Sequence, residues 1–215
     1  MTDKPVFNLE VSTTRLEAFS DGVFAIAITL LIIEIKVPSE QTLEQYHGLT
    51  NYLAALWPKY FAYVQSFVII GIYWANHHYI FKLYRRTNHV FNLLNVLFLM
   101  TIAFLPFPTG VLGEFFLAGK HSKTSISFYA FAIWMPAFCW LLMWLYARGQ
   151  RRLIDHKLTD GFVNFLTKQF YFSNLLYVLA FLVSLFSSIA SMSLCVGLTL
   201  LYLLPPRKPE YKENV

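Results

Sequence analysis

Near the start of the chain, Arg15, Ser20 and Asp21 bring a guanidinium, a hydroxyl and a carboxylate to the mouth of an apolar run. They lead through Gly22 into residues 23–33, which are almost entirely aliphatic or aromatic. In lipid an ionisable group is expensive, and it is tolerated where it faces a bundle interior or water and finds a cation or donors. The chemistry on offer is therefore ion handling or interhelical pairing. A plainer alternative is that Ser20 and Asp21 cap the start of a helix, a role both residue types suit.

Other polar residues are less suggestive. His77 and His78 are adjacent and so point to opposite sides of a helix, and neither they nor His89 gain a cysteine or paired carboxylate to complete a tetrahedral set. No metal and no cofactor is expected. Cys139 and Cys195 lie deep in apolar runs without C-x-x-C spacing and read as buried free thiols. There is no Ser-His-Asp arrangement, phosphate-cradling glycine loop or nucleophilic cysteine context, so the chain does not read as an enzyme. Glu34, with Glu40 and Glu44 beyond it, forms either an acidic vestibule that concentrates cations or a solvated loop. Asn88, Asn92 and Asn95 are placed to supply interhelical hydrogen bonds.

The elements that must carry these groups are membrane helices. Of 215 residues, 57% are apolar and 13% charged, against about 45–50% and about 25% in soluble domains. With 21 Phe, 13 Tyr and 5 Trp, the composition excludes an ordinary soluble fold and supplies interfacial aromatic belts. The net charge of +5 is not a nucleic-acid signature, because the charges punctuate apolar runs instead of forming a patch on a polar domain. At roughly 20 residues per span, this length holds about six spans and no sizeable catalytic domain.

The pattern predicts an all-α polytopic fold with helices at about 14–37, 53–77, 88–106, 124–147, 165–186 and 189–204. Together they make one transmembrane domain, 1–204, followed by a polar tail, 205–215, that is expected to be disordered. The first run lacks the basic flank and cleavage site of a signal peptide and reads as a retained helix. Trp57-Pro58-Lys59 marks a start or kink, and Pro106-Phe107-Pro108-Thr109-Gly110 reads as the end of the third helix. Pro136 reads as a packing kink, and Ser187-Ser188 as the turn of a closing hairpin. Alternate loops hold thirteen and four of the Lys and Arg residues, which places six spans with both termini in the cytoplasm.

Arg15-x-x-x-Phe19-Ser20-Asp21-Gly22, running into an Ile, Leu and Thr helix, resembles the signature of the transmembrane protein 175 family. Tyr73-Trp74-Ala75-Asn76-His77-His78, closing the second helix, is similar to the prokaryotic members. The resemblance covers the whole chain. It implies a potassium channel whose fold is not that of ordinary potassium channels, and the sequence agrees in lacking a Thr-Val-Gly-Tyr-Gly filter. With one motif per chain, it implies a homotetramer in lipid, in the cell membrane for a prokaryotic member. Helix one would line the pore, with Ile26, Leu30 and Ile33 as an apolar constriction and Thr29 as the polar member of that surface. It also implies a polar network holding helix one, for which Trp74, Asn76 and His77 are the partners of Arg15 and Asp21 at matching depth.

The spacing of Ile26, Leu30 and Ile33 is i, i+4, i+7, one stripe of a helix, which four copies around an axis would present to a pore. The same spacing suits any helix packed against neighbours. A proton- or ion-coupled transporter, with Asp21, Glu34 and His77 as relay groups, is the competing function. Ionisable groups at the ends of helix one and a dry middle favour the channel. A membrane enzyme acting on lipid would need converging carboxylates or histidines that the sequence does not supply.

Overall fold

The computed structural model describes residues 13–117, 119–150 and 153–212. In lipid each backbone N–H and C=O must find its partner inside the segment, and the apolar runs accordingly form helices. These are α1 (Thr14–Leu30), α2 (Glu40–Gln45), α3 (Leu49–Ala55), α4 (Trp57–Phe81), α5 (His89–Phe104), α6 (Pro106–Phe115), α7 (Ser122–Gly149), α8 (Asp160–Ser184) and α9 (Ser188–Tyr202). Short polar side chains start several of them. Asn88, Thr159 and Ser187 accept from the amides of Phe91, Phe162 and Ala190, satisfying donors that the first turns of α5, α8 and α9 leave open.

The central post is α7, against which α5, α6, α8 and α9 all pack. Its Tyr129, Ala132, Trp144 and Ala147 are fully buried. Several polar groups inside the bundle are paired across helices. The hydroxyls of Thr109, Ser66 and Tyr129 form a hydrogen-bonded chain, 2.7 and 2.8 Å between neighbours; Gln65 reaches Thr199, and Trp144 reaches Thr167. In contrast, α1 lies at the edge, resting mainly on α4 and α5.

Four segments are long and apolar enough to cross a membrane: Thr14–Glu34, His89–Phe115, Gly119–Gly149 and Asp160–Ser184. A fifth arises if α3 and α4, bent by 47° at Leu56, act as one, while α9 is shorter. The bend falls at the expected Trp57-Pro58 position.

Three expectations are corrected. The third helix does not end at Pro106: α6 follows at once and carries the segment to Phe115. Pro106 opens α6, where its missing amide costs no internal bond. The Thr109 amide and hydroxyl both reach back to the Leu105 carbonyl across the junction. Helix one ends as α-helix at Leu30 and tightens into a 3-10 turn, Leu31–Glu34, before Ile35 becomes extended.

The tail is ordered as far as it is described. Thr159 and Lys212 donate their amides to Glu210 and Lys157, Tyr79 donates to the Arg207 carbonyl, and the Arg207 guanidinium lies 4.8 Å from the centre of the Phe165 ring. Residues 213–215, like Lys4, Arg151 and Arg152 of the basic count, lie outside the described residues.

Candidate pore-helix site

The inner face of α1 is set by Ser20, Phe24, Ala27 and Leu31, all buried and repeating at helical spacing. Ser20 anchors a polar chain across three helices. Its hydroxyl donates to the Leu16 carbonyl at 2.7 Å and accepts from Asn95 of α5 at 3.0 Å. The Asn95 oxygen is thereby turned toward α4, where it meets His77 Nε2 at 3.1 Å, so that nitrogen carries the proton. His77 is buried between aromatic rings, stacked on Phe81 at 4.0 Å and met edge-on by Phe24 at 5.5 Å. An imidazole so enclosed is a packing and hydrogen-bonding element, and its neighbour His78 points outward.

Asp21, the next residue, turns to α4 directly: the indole of Trp74 donates to its carboxylate at 3.0 Å. Both side chains lie at the surface of the subunit. Ser20 and Asp21 sit in the second turn of α1, behind Thr13 and Thr14, which removes the capping alternative. Of the expected partners, Trp74 and His77 are engaged, whereas Asn76 donates to the Ile72 carbonyl in its own helix. Arg15 is exposed and makes no hydrogen bond or ion pair with a described residue. Phe19 is exposed too, and a Cβ added at Gly22 would meet nothing within 4 Å.

The remaining face of α1 is bare. Ile26, Leu30 and Ile33 are 61%, 41% and 54% exposed, and Ile32 is half exposed beside them. Thr29 is exposed on the same side, its hydroxyl satisfied by the Ala25 and Ile26 carbonyls at 2.9 Å. Glu40 and Glu44 are exposed on α2, but Glu34 is half-buried with its carboxylate against Gly110 of α6. Of the three asparagines, Asn95 joins α1 and α4, and Asn88 caps α5 and donates to Tyr146 of α7. The side-chain amide oxygen of Asn92 is buried and has no partner among the described residues. Among the described residues no group of three or more His, Cys, Asp or Glu could hold a metal, and both cysteines are free and buried.

A family model described as "Endosomal/lysosomal potassium channel TMEM175" matches residues 15–106, the stretch that holds α1, Trp74, His77 and Asn95. A potassium channel of Chamaesiphon minutus is 42% identical over 192 residues, 89% of this chain and 94% of that protein. The chain belongs to the TMEM175 family. A potassium channel of Streptomyces collinus is also 42% identical, over 66% of this chain and 67% of that protein. The crystal structure of the lysosomal potassium-selective channel TMEM175 homolog from Chamaesiphon minutus superposes with a TM-score of 0.80 at 40% identity, covering 89% of this chain and 96% of that one. With its family and its apolar helices, the protein is a multi-pass integral membrane protein.

Within this TMEM175 fold, two features escaped sequence reading. Asn95 was legible as an interhelical donor, but its place between Ser20 and His77 depends on how α5 crosses α1 and α4. Gly110 reads as part of a chain break in the sequence, and Gly113 is not singled out there. They lie one turn apart on α6 where Glu34 and Lys59 press in, and small residues at that spacing in an apolar segment are a packing signal.

Proposed function

We propose that this protein is a potassium channel, a homotetramer in which α1 of each subunit lines a central pore. The single observation that carries the reading is the bare stripe of α1. A helix held on one side by a polar chain and an aromatic pack leaves Ile26, Leu30 and Ile33 uncovered by its own subunit. Four such stripes around an axis form a narrow apolar constriction that sieves or gates by dewetting, with Thr29 on the same surface. The open space at Gly22 gives a neighbouring backbone room to approach. The Trp74–Asp21 bond and the Ser20–Asn95–His77 chain then keep the stripe aimed at the axis.

The reading includes six spans, counting α3 with α4 as one and α9 as the sixth, with both termini in the cytoplasm. Support comes from the ends of the helices. Arg85 and Leu153, Leu158 and Tyr211, and Arg148 and Asn164 pair at the end of the bundle where Asp21 meets Trp74, gathering the basic loops there. Lys59 pairs with Glu114 at the other end. No cofactor is needed, because a passive pore makes no bonds.

The test is current from purified protein in planar bilayers under a potassium gradient, followed by sodium substitution. Unitary currents reversing near the potassium potential are expected. Slow, saturable flux without unitary events would replace the channel by an ion-coupled transporter.

A further inference from the structure

At the end of α1 remote from Asp21, the 3-10 turn closes on Glu34, and its carboxylate lies in a notch that only glycine provides. A Cβ at Gly110 would overlap that carboxylate. One turn further along α6, a Cβ at Gly113 would come within 3.1 Å of the Cα of Lys59, so the two glycines let α1 and α4 close on the same strip of α6. Lys59 extends along that strip and binds Glu114 at 2.7 Å. Leu31, Ile35, Tyr63 and Thr109 complete the small space around Glu34. The Glu34 carboxylate takes no hydrogen bond from a described residue, so the shape of the seat holds it there. It is withdrawn from the bare stripe that ends at Ile33.

We propose that Glu34 is a positioning residue of the ion path: seated against Gly110, it fixes the far end of the pore helix and with it Leu30 and Ile33. This rests on the reading of α1 as pore-lining. It differs from a vestibule role, in which the carboxylate would act by its charge on passing cations. Gly110→Ala separates the two, because it keeps the charge and removes the seat. The obstacle is the far end of a flexible side chain, so the methyl displaces the carboxylate without displacing backbone.

Unitary current, size-exclusion profile and melting temperature are measured for wild type, E34Q, E34A, G110A and the E34A/G110A pair. The expected result is near wild-type unitary current for E34Q, which keeps the shape, and a severalfold change for E34A and for G110A. The double variant should match E34A within about twofold, because the two changes abolish one contact. G110A with intact assembly and unchanged unitary current overturns the proposal. So does E34Q changing the current as much as E34A with an effect that fades at high salt, the mark of a charge acting through solvent. Purely additive effects of E34A and G110A on both current and melting overturn it as well. If wild type passes no current, the channel reading fails and this positioning role falls with it. Non-additive melting would then show that the Glu34–Gly110 contact itself exists.

Discussion

Trp74 and Asp21, 53 residues apart in the chain, meet where the indole N–H of α4 donates at 3.0 Å to a carboxylate of α1. Next to it, Ser20 takes the other polar contact, from Asn95. Consecutive residues of α1 are thus tied to two different helices, which fixes the rotation of α1 about its own axis as well as its position. That rotation decides which side chains remain on the bare face.

Asp21→Ala is expected to lower the melting temperature and the yield of assembled protein as well as the current. The lost charge-assisted bond is worth about 1 kcal/mol, below the usual range for a charged partner because both groups are solvent-exposed. Trp74→Phe should reproduce most of the stability loss. Normal assembly and unaltered conductance in Asp21→Ala would contradict the anchoring role; size-exclusion and bilayer recording read both.

Asn95→Ala should be more damaging, by about 2–3 kcal/mol, since it leaves the buried His77 N–H without an acceptor and opens a cavity. Ser20→Ala should cost less, because Asn95 keeps its bond to His77 and only one Asn95 N–H loses its acceptor. Thermal unfolding in detergent ranks the two variants.

Ile26→Asn and Leu30→Ser should change conductance or the preference for potassium over sodium. Because both side chains are exposed on the subunit, each should leave its fold within about 0.5 kcal/mol. Single-channel recording beside a melting curve makes the comparison, and no change in current from either variant would remove α1 from the pore.

Gly22→Ala and Gly113→Ala should part company. An exchange to alanine in an exposed helix interior gains about 1 kcal/mol, and at Gly22 the subunit offers nothing for the methyl to strike. At Gly113 the methyl meets the backbone of Lys59, so α4 and α6 must separate at a cost of about 1–3 kcal/mol. Melting temperatures of the two variants should therefore shift in opposite directions, while Gly22→Ala should act on subunit association, read by size exclusion.

Much of this protein is determined by the sequence alone. The apolar excess sets a helical membrane fold, and the i, i+4, i+7 spacing of Ile26, Leu30 and Ile33 puts those side chains on one face of the first helix. Asp21 in the signature tract and Trp74 at the end of the second run marked the pairing, because loop parity alone gives them the same depth. Local order near prolines was not legible: Pro106 reads as a stop in one dimension, yet at the first position of α6 it costs no hydrogen bond, and the helix goes on. Neither was the tail, whose polar composition hides the backbone pairing of residues 210–212 with 157–159.

Tertiary structure alone decided that Asn95 joins Ser20 to His77 while Asn92 does not, and that Glu34 turns onto Gly110 and away from the bare stripe. Periodicity gives the direction of a side chain relative to its own helix. Which neighbour it meets depends on where separate helices cross, and that is settled by packing among residues far apart in the chain.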